Sequence, residues 1–275
     1  MTHIGVLMGL YGRDRADLFE RALLSVLDQA LPANVGLRIY LGVDGPLPPE
    51  LEAVLARFQG RLHLVSRSHE NLGLAATLNR LIAARSDEAF FFRMDADDVS
   101  LPGRFTAQLA YLDAHPDIDI LGTAIRECRE GQIGPQGEEG RVVKFAKDPE
   151  DARRRIDRRV PVAHPTVCLR RRVLDTVGGY PERRGNEDIA MWFRCITAGF
   201  KFDNLPDPWL DFTITENFWK RRSLEKAFIE FQSYVEGIWR LDGFTWRYAY
   251  PTARLCLRLS PEWISRRLYA SRMRA

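Results

Sequence analysis

The sequence predicts an α/β fold: a mainly parallel, mixed central sheet flanked by helices, with a helical extension after it. Three observations lead there. Short apolar runs alternate with stretches whose apolar residues recur every three or four positions, the pattern of βαβ units. The run from Ala89 to Met94 has the length and aromatic content of a buried strand and stops abruptly at Asp95, Asp97 and Asp98. From Trp219 onward the pattern is helical, with aromatics and arginines interleaved.

The elements follow in order. Ile4 to Leu10 reads as a buried first strand broken at Gly12-Arg13-Asp14, after which Leu18, Ala22, Leu23, Val26 and Leu27 fall at helical spacing. Leu37 to Val43 reads as a second strand, closed by the turn signal Asp44-Gly45-Pro46. Leu51, Val54, Leu55 and Phe58 mark a helix, Leu62 to Val65 a third strand, and Leu74, Leu78, Leu81 and Ile82 a further helix. Beyond the fourth strand, Phe105, Leu109 and Leu112 continue the alternation. Ile118 to Cys128 reads as a strand and Gly131 to Gly140 as a polar, glycine-rich loop. Val160 to Val167 is an irregular approach to another strand, and Gly178-Gly179-Tyr180 is a turn. Asn186-Glu187-Asp188 opens a helix carrying Ile189, Trp192, Phe193 and Ile196. In the last stretch Pro251 and Pro261 are expected to separate helices, and Phe228, Phe231, Tyr234 and Trp239 to be buried.

Composition narrows the function classes. An apolar content of 45% allows a sizeable core, and a net charge of +3 is too small to point to nucleic acid. The charge is unevenly spread: Arg247 to Ala275 holds seven arginines and one acid. That segment reads either as packed helix or as a surface resting on anionic lipid. Cys128, Cys168, Cys195 and Cys256 have no metal-binding spacing and read as free thiols in a reducing compartment. There is no signal-peptide pattern and no run near the ~20 apolar residues of a membrane span. The expected location is cytoplasmic, with room for peripheral contact with a membrane face.

In a parallel sheet the carboxyl ends of the strands share one edge, where open α/β folds bind ligands. The groups brought there are Leu10-Tyr11, Asp44, Asn71 with Gly73, and Asp95-Ala96-Asp97. Acids this close repel unless a cation or hydrogen-bond donors offset them. Asp95 and Asp97, one residue apart, can face one hard cation, Mn²⁺ or Mg²⁺, of the kind that bridges to a diphosphate. The plain alternative is a polar turn in which Asp98 or Ser100 caps the helix near Leu101-Pro102. Asp44 can accept from the imide N–H of a pyrimidine base or simply close its turn. Asn71 and Gly73 can hold base or ribose, or start a helix. Glu187-Asp188 offers a general base for a sugar hydroxyl, expected to stay ionised at a helix N-terminus. It equally fits a plain helix start capped by Asn186. His164 is an acceptor contact or a buried histidine. Arg221 and Arg222 are a diphosphate clamp or a solvated helix face. No GxGxxG follows the first strand and no Walker loop occurs.

Taken together and in order, several motifs carry a resemblance. They are Val43-Asp44-Gly45-Pro46, Asn71-Leu72-Gly73-Leu74-Ala75-Ala76-Thr77-Leu78-Asn79, the run Met94 to Phe105, His164-Pro165-Thr166, Gly178-Gly179-Tyr180 and Glu187-Asp188. The chain resembles glycosyltransferase family 2, and within it the amylovoran-type branch, over roughly residues 1–215. The resemblance implies a GT-A catalytic domain over 1–215 and a helical, basic extension over 216–275. It implies inverting, metal-dependent transfer of one sugar from a nucleoside diphosphate sugar, UDP- or dTDP-linked. The implied acceptor is a saccharide, lipid-linked, in the synthesis of a bacterial surface polysaccharide.

By position, the resemblance makes Asp44 the reader of the base, with Asp95 near ribose and metal and Asp97 holding the metal. Asp188 is the implied base and Glu187 its neighbour that orients the acceptor. Beside these, the reading of the residues themselves offers Leu10, Tyr11, Asn71, Gly73, Ala96, Arg221 and Arg222 as donor-side candidates, and His164 and Trp192 as acceptor-side candidates. There are departures. Ile189-Ala190-Met191-Trp192 stands where many relatives have Tyr/Trp-Asp-Leu-Trp, and Asp211-Phe212-Thr213-Ile214 where a Tyr-Arg pair is common. The Gln-x-x-Arg-Trp signature of processive synthases is missing, in line with single additions. Two competing readings are weaker. A sugar-nucleotide pyrophosphorylase wants a glycine-rich, basic loop after the first strand, and Leu10-Tyr11-Gly12-Arg13 is a poor one. A non-catalytic nucleotide-sugar-binding or scaffold protein on the same fold would lose the acids, whereas Asp95, Asp97 and Asp188 are present.

Overall fold

A computed structural model of the chain describes residues 1–129, 140–183, 185–214 and 224–259. The first half is built as the periodicity dictates. Strand β1 (Thr2–Tyr11) is followed by α1 (Ala16–Leu27), β2 (Val35–Asp44), α2 (Pro49–Phe58), β3 (Leu64–Ser68), α3 (Leu74–Ala83) and β4 (Phe90–Met94). The four strands are parallel, in the order β3-β2-β1-β4. Strand β3 begins later than expected because Leu62 closes a 3-10 turn, its N–H donating to Gln59 O at 3.3 Å.

The second half mixes directions. It comprises β5 (Val99–Ser100), α4 (Arg104–Ala114), β6 (Ile120–Arg129), β7 (Arg141–Val143), α5 (Pro149–Arg155), β8 (Cys168–Arg170), α6 (Arg171–Val177), α7 (Glu187–Thr197) and β9 (Phe202–Ile214). Strand β8 pairs antiparallel with both β4 and β6, β6 runs parallel to β9, and the short β5 closes the far edge against β9. The apolar faces on the two sides of the sheet form two cores. One holds Met8, Phe19, Leu41, Phe92 and Phe105; the other holds Leu7, Leu78, Phe91, Trp192 and Phe202. Helix α3 sits unusually close to β2 because Gly42 lacks a side chain: a Cβ there would lie 2.4 Å from Thr77 Cγ2.

The carboxyl-terminal part folds onto α7. Helix α8 (Leu224–Asp242) ends at Gly243 and α9 (Ala249–Leu259) follows. The break therefore falls at Gly243, with φ of 65°, and Pro251 lies in the first turn of α9, where a missing N–H costs nothing. Pro261 lies outside the described residues, as do most of the Gly131–Gly140 loop and the second half of the 247–275 tail. Tyr234 is buried as expected, Phe231 is half-buried, but Phe228 and Trp239 are exposed. The buried stripe of α8 is instead Ala227, Glu230, Ser233, Tyr234, Gly237 and Ile238, set by helical phase rather than by aromatic content.

Candidate active site

The carboxyl ends of β1, β2 and β4 meet along one edge, with Tyr11 in register beside Asp44. Leu10 is buried beneath that edge, and Tyr11 N–H donates to Asp14 Oδ2 at 2.9 Å. Asp44 is nearly buried, and its carboxylate accepts from Leu72 N–H (2.8 Å) and Gly73 N–H (2.9 Å). Asn71 Nδ2 reaches Asp44 O at 3.4 Å. Asp44, Asn71 and Gly73 thus form one unit that ties the end of β2 to the start of α3. Gly73 adopts φ of 93°, a conformation open to glycine. Each Asp44 oxygen keeps a second lone pair for a ligand.

The acids after β4 are the densest charge in the site. Ligand atoms of Asp95, Asp97 and Asp98 all lie within 4.8 Å of one another. The loop that carries them is pinned from outside. Thr213 N–H donates to Asp98 Oδ1 at 2.9 Å, Thr213 Oγ1 donates to Asp97 O, and Arg21 Nη2 reaches Asp97 O at 3.3 Å. Asp98 Oδ2 is buried with no hydrogen-bond partner. Burial first, and then the charges of Asp95 and Asp97, hold the Asp98 carboxyl well above the usual carboxylate range. Neither Asp98 nor Ser100 caps α4: its N-cap is Gly103, with φ of 84°, and Asp98 faces inward because β9 supplies it a donor. The donor set of clustered carboxylate oxygens, one of them orphaned, fits a hard divalent ion. Ala96, buried between them, keeps the loop against the core.

Opposite stands the start of α7. Asn186 occupies the N-cap with φ of 55° but makes no side-chain cap, so the expected Asn186 cap is absent. The acids meet the helix end themselves: backbone N–H groups favour the ionised forms of both. Burial outweighs this. It pushes the carboxyls of Glu187 and Asp188 upward, against the expectation of a simple ionised helix-start acid. His164, in a 3-10 turn (His164–Thr166), shares a 2.8 Å hydrogen bond with Tyr180 Oη and lies edge-on to Trp192. Burial, then Arg93, drives its imidazole well below its ordinary value, so the ring is neutral. Trp192 is fully buried, and its indole nitrogen has no partner; it supports His164 from below and offers no surface. Arg221 and Arg222 lie outside the described residues.

Between the acid cluster and α7 lies a residue that sequence reasoning passed over. Arg93 is buried on β4, forms an ion pair with Asp95, and acts electrostatically on Asp98, His164, Tyr180, Glu187 and Asp188. Its only signal was an arginine inside a run of phenylalanines. No helix among the described residues is long and apolar enough to cross a membrane.

The family model "Glycosyl transferase family 2" matches residues 6–178. The amylovoran biosynthesis glycosyltransferase AmsE of Erwinia amylovora is 32% identical over 203 residues, covering 74% of this chain and 73% of the relative. An Escherichia coli UDP-Gal:alpha-D-GlcNAc-diphosphoundecaprenol beta-1,3-galactosyltransferase is 26% identical over 223 residues, covering 79% and 76%. Among solved structures, Staphylococcus aureus TarS 1-349 with UDP-GlcNAc superposes with a TM-score of 0.66 at 17% identity, covering 94% of this chain and 72% of that one. The mannosyltransferase PcManGT of Pyrobaculum calidifontis, with GDP-Man and Mn²⁺, gives 0.62 at 14% identity, covering 98% and 79%. The fold is GT-A, and the mixed sheet with its helical flanks is the one these enzymes share. With its motifs in order along that sheet, the chain belongs to glycosyltransferase family 2.

Proposed function

We propose that this glycosyltransferase transfers one sugar, with inversion, from a pyrimidine nucleoside diphosphate sugar to a lipid-linked saccharide during synthesis of a bacterial surface polysaccharide. The observation that carries the reading is the pairing of two acid groups across one edge of the sheet: Asp95, Asp97 and Asp98 on one side, Glu187 and Asp188 on the other. The relatives support the setting, since one acts in amylovoran synthesis and another uses a diphosphoundecaprenol-linked acceptor.

In this reading Tyr11, Asp44 and Asn71 receive the nucleoside, with Gly73 allowing close approach of the backbone. Asp95 and Asp97, joined by Asp98, hold Mn²⁺ or Mg²⁺. When bound, the ion supplies Lewis-acid stabilisation of the charge that builds on the departing diphosphate. Asp188 takes the proton from the incoming hydroxyl as it attacks, and burial, by raising its carboxyl, makes the carboxylate a stronger base. Glu187 and neutral His164 orient the acceptor, His164 by accepting or donating one hydrogen bond beside Tyr180. Direct displacement by a hydroxyl on the face opposite the leaving group inverts the anomeric centre.

Peripheral contact with a lipid surface belongs to the same reading. Phe244 (93% exposed) lies against Tyr248, and Trp246 (68%) lies edge-on to Tyr250, whose ring the Arg158 guanidinium covers at 3.9 Å. The experiment is calorimetry with UDP-, dTDP- and GDP-sugars, with and without Mn²⁺, on wild type and Asp97→Ala. The expected result is metal-dependent binding of a pyrimidine nucleotide that Asp97→Ala removes. Binding that ignores both the metal and the substitution overturns the metal assignment. No binding of any nucleotide sugar by folded protein turns the reading toward a scaffold.

A further inference from the structure

We propose that Arg93 is a positioning residue for the transfer: a buried cation that holds the donor-side and acceptor-side carboxylates of the site together. The inference rests on the glycosyltransferase reading and deepens it.

Strand register gives Arg93 its place. Side chains alternate across β4, so Phe92 and Met94 enter the core that contains Met8 and Phe105. Phe91 enters the other core, with Trp192 and Phe193 of α7. Arg93 shares the Phe91 face, one step nearer the edge where α7 begins at Glu187. Its backbone is fixed on both sides: Arg93 N–H donates to Val167 O at 3.0 Å, and Arg93 O accepts from Arg104 Nη2 at 3.1 Å. Its guanidinium pairs with Asp95 through Nη1, while Nε is buried with no hydrogen-bond partner.

A guanidinium buried this way is costly, and a well-packed apolar side chain would serve stability better. The surroundings account for it. Asp95 and Asp98 from the loop after β4, and Glu187 and Asp188 from α7, bring four carboxylates together. Their mutual repulsion, in a water-poor site, drives carboxylates apart or protonates them. Arg93 offsets that repulsion from beneath. Through the ion pair it sets the direction of Asp95. Through its charge it favours the ionised form of Asp188, which burial and Asp95 oppose. The other groups facing Asp188 are Glu187 on its own helix, Tyr180 from the glycine turn and Tyr234 from α8, with His164 facing Arg93 from the 3-10 turn. None of these is a cation. Arg21 from α1 and Arg104 from α4 also act on Asp98, and Arg93 is the arginine that acts on Asp98, Glu187 and Asp188 alike. It is only 2% exposed and acts through these acids rather than on substrate.

The test compares wild type, Arg93→Met and Arg93→Lys. The probes are UDP-glucose, UDP-galactose, UDP-N-acetylglucosamine and dTDP-glucose with Mn²⁺, and the readouts are nucleotide release between pH 5 and 9, nucleotide binding by calorimetry, and thermal unfolding. Arg93→Met is expected to weaken Mn²⁺-dependent nucleotide binding only about threefold, through Asp95, while kcat falls about 100-fold. Its acid limb should move up by about one pH unit. Arg93→Lys should return the acid limb to its wild-type place and restore only part of kcat, because the charge is back and the planar fork is not. The proposal is overturned if Arg93→Met keeps wild-type kcat and acid limb. It is also overturned if both variants lose binding and turnover in step, with the acid limb unmoved, as a purely structural residue would. If Arg93→Met does not fold, the kcat and pH profile of Arg93→Lys decide alone. Wild type that releases no nucleotide from any probe sinks the transferase reading and this proposal with it; turnover by wild type and Arg93→Met alike sinks only the proposal.

Discussion

Asp98 and Asp188 show what burial does to a carboxylate that must later carry charge. Asp98 has one oxygen satisfied by Thr213 N–H and the other orphaned, with Asp95 and Asp97 beside it. Its carboxyl is raised in the folded protein, whereas in the unfolded chain it ionises near its usual value of about 4. Between those two values the native state binds the extra proton, so stability falls as pH rises through that window. Asp98→Asn removes the ionisation and keeps the acceptor for Thr213. Without metal, the variant should melt about 2–6 °C above wild type at pH 8, the gap closing toward pH 4. Adding Mn²⁺ should favour wild type, because an ion that binds only the native state stabilises it by mass action. A variant no more stable than wild type in EDTA at pH 8 would mean that Asp98 is not a strained acid. Asp188→Asn makes the complementary case. Loss of the proton acceptor should lower kcat by about 10²–10⁴-fold while donor affinity stays near wild type, measured by nucleotide release and calorimetry. Equal loss of both would make Asp188 a structural helix-start residue.

At the scale of elements, what the sequence made legible was whatever repeats locally. Strands β1 to β4 and helices α1 to α4 follow from short-range periodicity, and their ends carry the Asp44 and Asp95 groups where expected. Elements α5, α6 and β7 escaped because they run only three to seven residues, too few for a period to register. The buried face of α8 was misread because aromatic content was weighed above phase: Phe228 and Trp239 point outward, and Gly237 packs inward. That glycine makes the contact between α8 and α7 close. A Cβ on it would fall 2.2 Å from the Phe193 ring, on the helix that begins with Glu187 and Asp188. Gly237→Val should therefore destabilise the protein by about 1–3 kcal/mol in thermal or denaturant unfolding. The loss should come with lower kcat, since α7 carries the acids. Unchanged unfolding would show α8 to be an appendage, not part of the catalytic body.

At the scale of the whole molecule, the placement of Asp44 and the Asp95 cluster was readable and the convergence on Arg93 was not. Those groups lie at the ends of parallel strands, a placement that topology dictates from any one βαβ unit. Arg93 acts on Glu187 only because β8 returns antiparallel beside β4 and brings the 3-10 turn and α7 over the same edge, a pairing between residues far apart in the chain. The basic tail illustrates the same limit. Counted along the sequence, its arginines suggest a free cationic surface. In the fold, Arg247 is tied to Asp157 and Asp242, and Arg254 and Arg258 both pair with Glu230. A second basic cluster lies at α5 and the residues just after it: Arg154, Arg155, Arg158 and Arg159 line one open cavity of about 620 Å³, where Arg154 and Arg155 share Asp151 and Arg158 lies 3.8 Å from Asp157. Phe244 and Trp246 give that corner apolar groups able to enter a headgroup layer. Sedimentation with vesicles containing anionic phosphatidylglycerol separates the two sources. The double substitution Phe244→Ser with Trp246→Ala should lower partitioning by about tenfold or more at any salt, as losing buried aromatic area requires. Arg155→Gln with Arg158→Gln should lower it chiefly at low salt, where screening is weak. If both variants bind vesicles as wild type does, this corner does not meet the membrane, and the acceptor must come to the enzyme from solution or through another face.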